Sequence, residues 1–134
     1  MAEASAANIF VVNGSELSTP PVTDDVLPGI TRAAVVQMAR DAGYQVVERR
    51  IDRSELYIAD EVFLTGTAAE ITPVRSVDRI VVGKGSRGPV TEALQKAFFD
   101  VIECRVPDEF GWLTFVREKA AAGAASGRAT TATK

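Results

Sequence analysis

The chain has 134 residues, 46% of them hydrophobic and 25% charged, a length that suits one ordinary domain with an adequate core and is too short for two. A formal net charge of -3, with no basic run, argues against nucleic acid or an anionic membrane as the partner, and no apolar run is long enough to span a bilayer. No histidine and a single cysteine, Cys104, exclude His-ligated metal sites, cysteine-rich zinc clusters, an internal disulfide and Ser-His or Cys-His nucleophiles within this chain. The opening MAEASAAN has neither the basic nor the apolar region of a signal peptide, so a reducing, cytoplasmic setting is expected.

In chain order, Asn8 to Val12 is β-branched and aromatic and runs into Asn13-Gly14, which predicts a β-hairpin over residues 8–19. Pro20-Pro21 stops it. Leu27-Pro28-Gly29-Ile30-Thr31-Arg32 then turns into a helix carried by Val35, Met38, Ala39 and Ala42, with Gly43 placed as its left-handed terminator. Gln45 to Ile51 reads as a strand. Asp52-Arg53-Ser54-Glu55 has the spacing of a capping box and opens a short helix through Ala59.

Glu61 to Leu64 is the next expected strand, ending at the small residues Thr65 to Ala69. Glu70 to Val77 and Ile80 to Val82 are expected to pair across Asp78-Arg79. After the glycine-rich loop Gly83 to Gly88, Pro89 starts a helix whose apolar face is Val90, Leu94, Ala97, Phe98, Val101 and Ile102. Residues 120–134 hold no bulky apolar side chain and are expected to be a disordered Ala/Thr-rich tail after a domain spanning 1–119. Mixed hairpins and helices without a repeat fit an α/β or α+β layered domain with a mixed sheet.

Three segments could carry chemistry. The turn Leu27 to Thr31 leads into a helix start, where open backbone N–H groups, the positive end of the helix dipole and the Thr31 hydroxyl make a phosphate cradle; an ordinary Pro-Gly turn is the alternative. In Thr65 to Ala69, two hydroxyls and backbone N–H groups could hold phosphate or carboxylate, or form a plain left-handed turn. Glu3, with Ser5 and Asn8, precedes the first strand and by itself reads as a solvated terminal residue. The G-x-G-x-x-G letters at Gly83, Gly85 and Gly88 lack the strand-helix context of a dinucleotide loop. Asp24-Asp25 and Asp60-Glu61 are adjacent carboxylates that alternate faces on a strand, so a solvated role is their default.

At those three segments the sequence resembles the C-terminal part of the branched-chain amino-acid aminotransferases, of the fold-type IV family of pyridoxal-phosphate enzymes. The matching stretches are E-A-S-A-A-N-I-F from Glu3, L-P-G-I-T-R from Leu27, L-Y-I-A-D-E-V-F-L-T-G-T-A-A-E-I-T-P-V-R-S-V-D from Leu56, G-P-V-T from Gly88 and F-G-W-L from Phe110, covering about residues 3 to 116. The resemblance implies the fold of the family's C-terminal domain, with the cofactor, pyridoxal 5'-phosphate, at the boundary with a smaller N-terminal domain.

It also implies residue roles. Glu3 matches the carboxylate that pairs with the ring nitrogen and keeps it protonated, so that the ring acts as an electron sink. Leu27, Gly29, Ile30 and Thr31 match the segment on the 5'-phosphate, Gly66 and Thr67 a second phosphate-contacting turn, and Thr67 and Ala68 the backbone donors for the substrate carboxylate. Asn8 matches a family asparagine of open role. The substrates implied are Leu, Ile or Val with 2-oxoglutarate, in a homodimer or higher oligomer.

The family's Schiff-base lysine, the tyrosine after it and a phosphate-binding arginine lie upstream of the position of Glu3, and none of Lys84, Lys96, Lys119 and Lys134 has that lysine's context. The expectation is therefore a C-terminal fragment, inactive alone, with no catalytic residue of its own and with the N-terminal half of the enzyme as partner. An apolar face would be left uncovered. Alternatives are a non-catalytic module binding phosphorylated ligands or a protein, and a fragment of a related class IV enzyme for D-amino acids or aminodeoxychorismate.

Overall fold

The computed structural model describes residues 7–116. Its main sheet has five strands, β1 (Asn8–Asn13), β2 (Glu16–Thr19), β3 (Gln45–Glu48), β4 (Glu61–Gly66) and β5 (Glu70–Pro73), in the spatial order β3-β2-β1-β4-β5. Only β2 and β3 run parallel; the helix α1 (Ile30–Asp41) connects them, as a parallel pair requires. The architecture is α+β with a mixed sheet.

The hairpin forms as expected, but Asn13 pairs with Glu16, so the two-residue turn is Gly14-Ser15. Gly14 supplies the positive φ of +59° at its first position. β1 is the central strand, and Ile9 to Val12 are buried on both faces. Phe10 and Val12 join Leu17, Val35, Met38, Ala39, Phe63 and Leu94 beneath α1 and α3 (Pro89–Ile102). Ile9 and Val11 pack on the opposite face with Ile51, Leu56, Val62 and Val82. Phe10 and Phe63 stack across the β1–β4 ladder at 5.0 Å.

Both long helices end in the same way. At α1 the Tyr44 N–H reaches the Ala39 carbonyl and the Gly43 N–H that of Arg40, with Gly43 at φ +86°. At α3 the corresponding left-handed residue is Cys104, at φ +56°, with Arg105 N–H on Asp100 and Cys104 N–H on Val101. The short helix α2 (Glu55–Ile58) keeps half of the expected capping box, the Glu55 carboxylate accepting the Asp52 N–H at 2.9 Å.

Four sequence expectations are corrected. The strand from Gln45 ends at Glu48, and Ile51 inserts into the core as a loop residue instead. The stretch from Glu70 splits at Pro73, and a separate two-stranded ribbon, β6 (Ser76–Val77) with β7 (Ile80–Val81), closes over Asp78 and Arg79, both at positive φ. Ala42 and Ala97 are exposed, and Ile102 is partly so. Glu61 is not solvated but 7% exposed, accepting the N–H groups of Val90 and Thr91 and the Thr91 hydroxyl.

Candidate functional site

Two of the three candidate segments meet at one end of the sheet. The ladder pairs Asn8, at the start of β1, with Thr65, near the end of β4, so the turn Thr67 to Ala69 opens beside the start of β1. Asn8 is 5% exposed and donates from Nδ2 to the Leu27 carbonyl at 3.0 Å. That bond ties the loop before α1 to the same sheet end. Gly29 precedes α1 at φ -68° and ψ 135°, a conformation open to any residue. Its lack of a side chain matters for space instead, because a Cβ there would come closer than 3.0 Å to Asn8 Oδ1.

The start of α1 is suited to an anion. Gly29 offers no side-chain cap, the first turn carries no acidic residue, and the N–H groups of Ile30, Thr31 and Arg32 have no acceptor within the helix. The start of α3 shows the contrast, since there the Glu61 carboxylate already takes two N–H groups. A cavity of about 630 Å³ beside Gly83 to Gly88 therefore opens onto a helix start that is already filled by an internal anion.

Arg32 anchors α1 from its first turn. It is 6% exposed and reaches the Pro20 carbonyl at 3.0 Å and the Glu48 carboxylate on β3 at 2.8 Å. The Arg32 hydrogen bond holds the Glu48 carboxyl below the ordinary glutamate value, against the opposing effect of burial, with charge attraction from Arg32 and Arg40 adding to it. Thr31 is buried, whereas Leu27 and Ile30 are 71% and 77% exposed and Thr67 and Ala68 are exposed. The site thus has a polar floor, open backbone donors and two bare apolar side chains at its rim.

Glu3, Ser5, Lys119 and Lys134 lie outside the described residues, as does the segment 120–134. Of the described lysines, Lys84 lines the cavity at the Val12 end of β1, roughly 13 Å along the strand from Asn8. Lys96 pairs with Asp100 on α3. Neither is at the site. Sequence reasoning placed the two turns but left the role of Asn8 open and missed the anchoring by Arg32. A polar amide heading a run of buried apolar residues was the available signal for the first; nothing local pointed to the second.

A family model described as amino-transferase class IV matches residues 1–77. The branched-chain-amino-acid aminotransferase of Escherichia coli K12 is 49% identical over 118 residues, 88% of this chain and 38% of that protein. The protein of the same name from Pseudomonas aeruginosa is also 49% identical, over 117 residues. Among solved structures, the Escherichia coli branched-chain amino acid aminotransferase superposes with a TM-score of 0.83 at 50% identity, covering 87% of this chain and 38% of that one. The branched-chain amino acid aminotransferase of Thermobaculum terrenum in its PLP-form gives 0.75 at 42% identity, covering 78% of this chain and 34% of that one. The chain spans a little over a third of the length of the curated relatives it matches. Agreement of the family model with more than half of the residues, together with these relatives, shows that the chain belongs to the amino-transferase class IV family.

Proposed function

We propose that this chain forms the phosphate-binding end of a pyridoxal-phosphate-dependent aminotransferase that exchanges amino groups between branched-chain amino acids and 2-oxoglutarate. The observation that carries the reading is the junction made by Asn8, which brings the uncapped start of α1 and the β4–β5 turn to one sheet end. The residues fit a phosphate group: Gly29 brings no side-chain cap to the first N–H groups of α1, no carboxylate stands in the first turn, and the helix dipole favours an anion.

Ile30 and Thr31 would bind the 5'-phosphate through backbone N–H groups and the Thr31 hydroxyl, with Gly66 and Thr67 closing from the second turn. Leu27 and Gly29 would belong to the same phosphate-binding segment. Thr67 and Ala68 would orient the substrate carboxylate through backbone donors, and Glu3 would hold the proton on the ring nitrogen. Bound there, pyridoxal phosphate supplies an electron-withdrawing ring that accepts the electron pair left when the substrate Cα proton departs. The amine that the reaction also needs belongs, on this reading, to the part of the relatives that this chain does not span. The exposed Leu27 and Ile30 support an apolar partner surface at the same place. A cytoplasmic role in branched-chain amino-acid biosynthesis and a homodimeric or higher oligomeric full enzyme belong to the same proposal.

Amide NMR of the chain titrated with pyridoxamine 5'-phosphate tests it. Saturable shifts are expected at Ile30, Thr31, Gly66 and Thr67, competed by inorganic phosphate. Shifts confined to Gly83 to Gly88, or no saturable shift, would refute the assignment.

A further inference from the structure

Asn8 is 5% exposed and heads the central strand, where the residues that follow it, Ile9 to Val12, are apolar and buried. Asparagine is a poor strand former, and a buried amide is costlier than an apolar side chain unless its hydrogen bonds are made. Its Nδ2 donates to the Leu27 carbonyl at 3.0 Å, yet that carbonyl already accepts the Gly29 N–H at 2.8 Å. Satisfying the Leu27 carbonyl therefore does not explain an amide at this position.

Holding α1 on the sheet does not explain it either. Arg32 ties the first turn of α1 to the Pro20 carbonyl and to Glu48 on β3, and Val35, Met38 and Ala39 bury the following turns in one cluster with Phe10 and Phe63. What the Asn8 bond adds is a fixed place for the loop before the helix. Asn8 stands across the ladder from Thr65, the residue before Gly66 and Thr67, and it lies so close to Gly29 that a Cβ there would fall within 3.0 Å of its Oδ1. One side chain thus sets the offset between the start of α1 and the end of β4.

We propose that Asn8 is a positioning residue of the phosphate site: by holding the Leu27 carbonyl it keeps the first open N–H groups of α1 in place relative to the β4–β5 turn, so that Ile30 and Thr31 meet one phosphate from one side while Gly66 and Thr67 meet it from the other. This rests on the phosphate-site reading above. Without the amide, α1 stays docked through Arg32 and its core residues, but the loop before it is free to shift. A phosphate at the helix start then meets a second turn that is no longer prearranged for it.

The test is calorimetric titration of the full chain and of N8A with pyridoxamine 5'-phosphate and with inorganic phosphate, alongside amide NMR of each at saturation. N8A is expected to bind about five- to tenfold more weakly, the worth of one hydrogen bond, with shifts kept at Ile30 and Thr31 and lost at Gly66 and Thr67. T91V, which removes the buried hydroxyl bond to Glu61 at the opposite end of β4 from Thr65, is the control: it should melt lower yet bind within about twofold of wild type. Should N8A not fold, G29A carries the same expectation, because its methyl group drives Asn8 from the Leu27 carbonyl. Wild-type affinity in N8A or its substitute, shifts retained at all four amides, or an equal loss of affinity in T91V would each overturn the inference while leaving the site itself in place. A wild-type chain that binds neither probe would overturn the phosphate-site reading and this inference together.

Discussion

Replacing Gly29 with alanine puts a methyl group where Asn8 Oδ1 already lies. The backbone at Gly29, φ -68° and ψ 135°, suits alanine, and lowering the freedom of the unfolded chain would by itself stabilise the protein by about 0.4–1 kcal/mol. Against this, the new Cβ would fall closer than 3.0 Å to Oδ1 and 3.5 Å from Asn8 Cγ. Asn8 must then rotate away from the Leu27 carbonyl, and its amide, 5% exposed, loses a 3.0 Å bond without gaining water. Stranding a buried polar group costs about 1–3 kcal/mol, so the net loss is about 1–2 kcal/mol. In a domain of this size the melting temperature should drop by roughly 4–8 °C. Thermal melts of G29A, N8A and the double variant form the assay. Because Asn8→Ala removes the obstacle, Gly29→Ala should cost almost nothing in that background. An equal cost in both backgrounds, or no cost in the wild type, would refute the close-approach argument.

Removing the Glu61 carboxylate in E61A strips α3 of its acceptor for Val90 N–H, Thr91 N–H and the Thr91 hydroxyl, and should cost about 2–4 kcal/mol in denaturant unfolding, whereas an exposed control such as E103A should be nearly neutral. Cys104 holds the left-handed position after α3, so C104G should raise stability by roughly 1 kcal/mol, seen as a higher melting temperature; an unchanged or lower one would show that the backbone there is unstrained. The Arg32 hydrogen bond lowers the Glu48 carboxyl, and the Arg49 hydrogen bond lowers that of Glu55, both from the ordinary 4.5. Folded values below unfolded ones mean that the stabilisation is present above pH 4.5 and is lost as pH falls through the lower folded values. Melting temperature should therefore decline below that pH. E48Q should start lower at neutral pH and decline less steeply, and an unchanged acid slope would count against the pairing with Arg32.

Local chemistry made much of this fold legible. Asn13-Gly14 marked the hairpin, Gly43 the end of α1 and Pro89 the start of α3, because each acts through its own backbone preference and needs no distant partner. The misplacements share one cause. Ile51 looks like strand and Ala42 and Ala97 like core, yet whether an apolar residue is covered depends on which element lies opposite it.

The candidate site divides in the same way. The turns Leu27 to Thr31 and Thr65 to Ala69 were visible as small-residue segments at element ends, and their resemblance to a family assigned them a ligand. That they adjoin depends on Asn8 pairing with Thr65 while bonding Leu27, contacts separated by 57 and 19 residues. Glu61 is the sharpest case. Next to Asp60 it reads as one of two solvated carboxylates, and only the packing of α3 over β4 turns it into a buried cap.

By itself the sequence determined the class of elements, their order, the exclusion of histidine-based chemistry and an internal disulfide within this chain, and the family. Composition and short-range backbone preference suffice for the first three, and the run of matching motifs for the last. The tertiary structure decided which helix start is already filled by an internal carboxylate and which stays open, because that choice is made by contacts across the sheet. It also decided that a glycine in an ordinary conformation is needed for closeness to Asn8, and that one buried threonine hydroxyl has no partner among the described residues. Those are properties of space between elements, which no single segment encodes.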